Sequence, residues 1–137
     1  MQDRYGTAFP ERARTIVVVR ATVDTIRAHE ANVIVSSFHL GAVDACKRFA
    51  PELTTAWLTF DQAVDDAAAI VAEHGHEWLH PDRKAALGGG IDRAHELAIK
   101  VDVWTVDEPD EIRTLAAAGA DAIVTNVPDV ALAVLTS

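Results

Sequence analysis

Val101-Asp102-Val103-Trp104-Thr105-Val106, the helical stretch from Pro109 to Ala118, and Asp121-Ala122-Ile123-Val124-Thr125 form one strand–helix–strand unit. The two strands are short and β-branched. Pro109 suits a first helical turn, and Gly119 ends the helix. Joining two strands through a helix predicts that they run parallel, with a right-handed crossover.

Working back toward the N-terminus, the same alternation recurs. Glu77-Trp78-Leu79-His80 reads as a strand, and Arg83 to Lys100 as a helix interrupted at Gly88-Gly89-Gly90, with Leu87, Ile91, Ala94 and Ala98 on one face. Before it, Thr54 to Leu58 reads as a strand, and Asp61 as the N-cap of an Ala-rich helix ending at Gly75. His39 to Phe49 is a short helix closed by Pro51. Val33-Ile34-Val35-Ser36-Ser37-Phe38 has the composition of a strand buried on both faces. Ahead of it, Ile16, Val19, Val23 and Ile26 recur at steps of three and four, which predicts an amphipathic helix over Pro10 to His29.

The predicted order is therefore a helix followed by five strand–helix units at 33–38, 54–58, 77–80, 101–106 and 121–125, without a long linker or repeat. This is an α/β pattern with a parallel sheet. Two architectures satisfy it: a partial (β/α)8 barrel of about five units, or an open doubly wound sheet. A full barrel takes roughly 250 residues and eight units.

The chain has 137 residues, half of them apolar, enough for one domain with a core. Twelve basic against 21 acidic residues leave a net charge of −9, which argues against nucleic acid and anionic lipid as partners. No run approaches the ~18 apolar residues that span a bilayer. Cys46 is the lone cysteine, so no intrachain disulfide or thiolate zinc site is available, and a reducing cytoplasm is the expected location.

Three stretches, Val33 to Phe38, Val101 to Val106 and Gly119 to Pro128, with supporting matches at Arg48–Pro51, Ala56–Leu58 and Ala94-His95, resemble the glycerophosphodiester phosphodiesterase family in that family's order. The resemblance implies the C-terminal portion of a (β/α)8 barrel over 1–137. It also implies hydrolysis of glycerophosphodiesters to an alcohol and glycerol 3-phosphate, with a divalent metal, calcium or magnesium, in the complete barrel. In that barrel, metal-bound carboxylates neutralise the phosphodiester and two histidines serve as base and acid. The family's signature is a His-Arg-Gly turn with a following Glu, a Glu-X-Asp strand and a second His. This chain has no His-Arg-Gly and no Glu-X-Asp on a predicted strand. It also carries Asn126 where the family usually has Asp, and Asp107 where it usually has Asn.

No catalytic residue and no metal ligand is therefore assigned. The expected substrate-binding positions are Trp104, Phe38, Ser37 and Asn126, all at C-terminal strand ends, where barrel sites gather. By resemblance, Trp104 packs against the glycerol moiety; a core tryptophan filling a barrel layer is the alternative. Ser37 lies outside any G-x-S-x-G elbow and reads as a helix cap rather than a nucleophile. His39 reads as solvated or capping. His76, Trp78 and His80 share a face of an extended segment, but successive side chains ~6–7 Å apart suit an ordinary strand better than a zinc site. Gly88-Gly89-Gly90 reads as a flexible helix break rather than a phosphate loop. The expected partners are a glycerophosphodiester-type small molecule and either the missing N-terminal half of a barrel or a second copy. The competing reading is a non-catalytic α/β module that binds a ligand or partner, the chain alone being inactive in both.

Overall fold

The computed structural model describes residues 9–29 and 32–136, with side chains from Val18 onward. It divides into two compact units after Leu58.

The first unit contains α1 (Phe9–His29), β1 (Ile34–Ser37), α2 (Leu40–Phe49) and most of β2 (Thr54–Thr59). Val19 and Val23 of α1 meet Ala45 and Cys46 of α2 and Ala50, with Val35, Ala42, Phe49 and Leu53 packed around them. Val19 and Val23 of the predicted apolar stripe thus build a helix–helix core, whereas Ile26 is only half-buried and outside it, and Ile16 lies outside the described side chains. Arg27 fastens the end of α1, donating to Glu52 Oε1 and to the Phe49 carbonyl. Strands β1 and β2 run parallel, with Ile34 opposite Thr54 and Ser37 opposite Trp57. The expectation that β1 is buried on both faces is not met. Ile34 is 43% exposed and Val33 also faces solvent, because only the face bearing Val35, packed on the α1–α2 core, is covered in this unit.

The second unit holds α3 (Val64–Glu73), β3 (Trp78–Pro81), α4 (Arg83–Leu87), α5 (Ile91–Glu96), β4 (Lys100–Val103), α6 (Pro109–Ala117), β5 (Ala122–Ile123) and α7 (Pro128–Leu135). β4 is central and parallel to both neighbours: Leu79 pairs with Val101, and Val103 with Ile123. Alternation along these strands sorts their side chains. Leu79, Val101 and Val103 are fully buried, as are Val71, Ala94, Ile112 and Leu115 of the helices. Trp78, His80, Asp102 and Trp104 take the alternate positions.

Three local expectations are corrected. Asp61 is not a helix cap: α3 begins at Val64 with Ala63 at its N-cap, and Asp61 adopts φ +58 with its N–H committed to Asp82. The break expected at Gly88-Gly89-Gly90 does separate two helices, but the second ends at Glu96 rather than Lys100, and the break, expected to be flexible, is a packing requirement. At Gly90, φ is +104, and an added Cβ would lie 2.8 Å from the Val64 side chain and collide with the Asp65 carboxylate. Finally, the strands predicted at 101–106 and 121–125 are regular only over Lys100–Val103 and Ala122–Ile123. Beyond them, Val124 N–H donates to Val103 and Val106 N–H to Val124, an irregular continuation.

Candidate functional site

The C-terminal ends of β3, β4 and β5 carry a connected set of side chains in the second unit. Trp104, just past β4, is half-buried. Its indole Nε1 donates to the His80 carbonyl at 2.8 Å, its backbone N–H donates to Pro81, and its carbonyl accepts from Arg83 at 2.7 Å. Three hydrogen bonds, to His80 and Pro81 at the end of β3 and Arg83 at the start of α4, hold the residue in place. Phe60 lies against it, ring centroids 6.3 Å apart and planes inclined by 32°.

Asp82 ties this loop together. It is 7% exposed; its Oδ1 accepts from Asp61 N–H at 2.9 Å and its Oδ2 from Ala85 N–H at 3.2 Å, the latter capping α4. A buried carboxylate with both oxygens bonded to backbone donors is a structural clamp.

Asp107 and Asn126 form the second feature. Asp107 Oδ1 accepts from the Asn126 N–H at 2.8 Å and the Thr125 hydroxyl at 3.0 Å, and its Oδ2 from Asn126 Nδ2 at 3.1 Å. The Asn126 backbone donor, then its side chain, hold the Asp107 carboxyl below the usual carboxylate range. Positions 107 and 126, the two expected departures from the pattern the resemblance implies, thus face each other. Here Asn126 is the donor and Asp107 the acceptor across one hydrogen-bonded pair.

Beneath Trp104, His80 Nε2 and Asp102 Oδ2 stand 3.7 Å apart, too far for a hydrogen bond. His80 Nε2 and Asp102 Oδ1 have no protein hydrogen-bond partner. Burial lowers the His80 pKa and raises that of Asp102. A salt bridge would move both the other way, so desolvation outweighs attraction at this pair.

In the first unit, Phe38 follows β1, is 55% exposed and accepts from Trp57 Nε1 through its carbonyl. Ser37 Oγ accepts from His39 N–H at 3.0 Å. His39, not Ser37, occupies the N-cap of α2, and its side chain makes no capping bond. The serine is thus engaged in a turn just ahead of the helix. Trp104 and Asn126 stand at the same end of the β4–β5 pair. The histidine run divides between neighbours: His80 lies edge-on to Trp78, whereas His76 stacks with His74.

A model of the glycerophosphoryl diester phosphodiesterase family matches residues 8–130. The chain belongs to this family. Among curated proteins, the uncharacterized protein YqiK of Bacillus subtilis (strain 168) is 32% identical over 109 residues, 77% of this chain and 44% of that protein. Among solved structures, a candidate phosphodiesterase of the family from Silicibacter pomeroyi DSS-3 superposes with a TM-score of 0.80 at 27% identity, over 90% of this chain and 45% of that one. A glycerophosphodiester phosphodiesterase of Parabacteroides distasonis gives 0.82 at 20% identity, over 91% and 52%. An Oleispira antarctica phosphodiesterase, solved with its product sn-glycerol-3-phosphate, gives 0.76 at 18%, over 90% and 51%. The chain thus spans about half the length of these relatives, and its fold is that of a partial α/β barrel.

The metal expected of a complete glycerophosphodiester phosphodiesterase does not fit this end of the second unit. Asp82 and Asp107 use both oxygens to accept from protein donors, and Asp102 faces the His80 imidazole 3.7 Å away. These carboxylates do not converge, whereas a hard cation needs several free oxygens around one point.

One residue of the cluster was not anticipated. Phe60 stands alone after β2, outside any periodic pattern, and the available signal was only an aromatic at the C-terminal end of a strand.

Proposed function

We propose that this chain forms part of the substrate wall of a metal-dependent phosphodiesterase that hydrolyses glycerophosphodiesters to an alcohol and glycerol 3-phosphate. Its chemistry would reside on a separate segment. The observation that carries the reading is Trp104, in a family-matching stretch, at the C-terminal end of β4, with its indole oriented by the His80 carbonyl. There the ring covers the carbon face of the glycerol and excludes water from it.

Asn126 donates to Asp107 through Nδ2, which leaves its amide oxygen to accept from a glycerol hydroxyl. Phe38 adds apolar surface from the end of β1, and Ser37 holds the turn that carries it. A bound calcium or magnesium would supply charge neutralisation of the phosphodiester from residues outside this set. The chain alone has no residues to hold that metal at this site and move protons as well, so it is inactive by itself. Its partner is the N-terminal half of a barrel, ahead of a second copy, which would bring another nine negative charges to the contact. Among the described residues no helix is long and apolar enough to cross a membrane; a cytoplasmic location accords with the lone, buried Cys46.

The non-catalytic module remains the second reading, favoured by the bonded carboxylates at the strand ends. Complementation separates the two. The chain is mixed with an N-terminal half-barrel bearing His-Arg-Gly and Glu-X-Asp, in magnesium or calcium, and glycerol 3-phosphate release is followed from glycerophosphocholine. The enzyme reading expects release in the mixture and loss of it with Trp104→Ala. A mixture that associates yet stays inert, or one indifferent to Trp104→Ala, supports the module.

A further inference from the structure

Phe60 is 66% exposed, among the largest exposures of any big apolar side chain described. A phenyl ring left in water forgoes the gain of burial. Asp61, which follows it, adopts φ +58, a left-handed conformation unfavourable for a residue with a Cβ. That conformation is fixed by the hydrogen bond from Asp61 N–H to the buried Asp82 carboxylate. Asp82 in turn forms a parallel bridge with Trp104, whose indole is bonded to His80 two residues earlier. One short stretch, His80 to Asp82, therefore anchors both rings. Their separation of 6.3 Å makes them adjacent panels of one surface. An exposed aromatic beside a half-buried one at the C-terminal strand ends is the arrangement of a ligand contact rather than of a core.

We propose that Phe60 contacts the alcohol group of a glycerophosphodiester whose glycerol lies against Trp104, and that it selects for a cationic alcohol, a methylated ammonium above all. This rests on the role given to Trp104 above. The face of a phenyl ring carries negative electrostatic potential and attracts an ammonium, but offers a neutral polyol little. The chain's net charge of −9 raises the local concentration of cations and opposes anionic head groups. Asp61, immediately after Phe60, adds to that bias.

The test is calorimetric titration of the full chain with glycerophosphocholine, glycerophosphoglycerol and sn-glycerol 3-phosphate. Wild type is expected to bind glycerophosphocholine most tightly of the three. Phe60→Ala lowers that affinity about tenfold and abolishes the preference over glycerophosphoglycerol. Phe60→Leu, which keeps apolar bulk without a ring, does the same. Trp104→Ala weakens all three ligands together. Unaltered melting curves for the exposed Phe60 variants establish that they fold. An undiminished preference in Phe60→Ala overturns the role of Phe60 and leaves that of Trp104 standing. A preference retained by Phe60→Leu overturns the selection for a cation. Failure of every ligand to bind wild type, or affinities unmoved by Trp104→Ala, overturns both.

Discussion

Replacing Asp121 with alanine should destabilise the second unit without touching the strand ends that carry Trp104. Asp121 stands at the opposite end of the β4–β5 pair and binds it twice. Its N–H donates to the Val101 carbonyl at 2.9 Å, and its Oδ2 accepts from the Val101 N–H at 2.8 Å. The same oxygen lies 2.8 Å from His95 Nε2. Val101 is fully buried, so removing the carboxylate strands a backbone donor at a loss of about 1–3 kcal/mol. The His95 contact is about a third exposed on both sides, and screening reduces it to at most about 1 kcal/mol. Together these predict a loss of about 2–3 kcal/mol, a fall in melting temperature of roughly 6–12 °C for a domain of this size. Asp121→Asn, which retains a neutral acceptor, should lose about half as much. The pH dependence follows from the shift. Burial pushes the Asp121 carboxyl up, but the Val101 N–H and His95 outweigh it, and its pKa ends below the usual carboxylate value. The stability this group contributes is full above the unfolded carboxylate pKa and is lost as pH falls through the lowered folded one. Thermal melts of wild type and Asp121→Ala should therefore converge on acidification. Equal melting temperatures at pH 7, or curves that stay parallel down to pH 2, would refute the reasoning.

Gly90→Ala should be more damaging than a typical glycine-to-alanine change, by about 2–4 kcal/mol, because φ is +104 and the new Cβ meets Val64 and Asp65 of α3; Gly89→Ala, with open space around it, measures the backbone part alone in a parallel denaturant titration. Asp102→Asn should match or exceed wild-type stability at pH 7 by less than about 1 kcal/mol. Burial raises the Asp102 pKa, so its charge opposes folding above the folded pKa and that penalty vanishes below the unfolded one; a variant less stable at pH 7 than at pH 3, relative to wild type, contradicts the assignment. Size-exclusion chromatography should show the purified chain associating rather than running as a clean monomer, since the β1 edge and the exposed Val124, Leu132 and Leu135 offer unpaired strand and apolar surface.

The alternation of strands and helices was legible because β-branched runs and helix-stopping glycines are local signals, and parallel pairing follows from the crossovers between them. Trp104 was legible for the same reason, as the aromatic closing a recognisable strand. What local patterns did not reveal depends on residues distant in the chain. Asp61 has the chemistry of an N-cap, but its N–H is claimed by Asp82, 21 residues on, and the helix starts later. The glycine run at 88–90 reads as slack, whereas α3 packs so closely on Gly90 that no side chain fits. Phe60 belongs to no periodic face and acquires meaning only from the neighbouring Trp104 ring. Asp107 and Asn126 are unrelated positions in one dimension and a single hydrogen-bonded pair in three.

The central claim, that this chain is a substrate wall without its own catalytic machinery, is tested most directly by assaying the purified chain alone for glycerol 3-phosphate release. The substrate is glycerophosphocholine, with magnesium or calcium supplied in excess. The account predicts no release above the metal-only blank under any of these conditions. Sustained turnover by the isolated chain, abolished by Trp104→Ala, would contradict it.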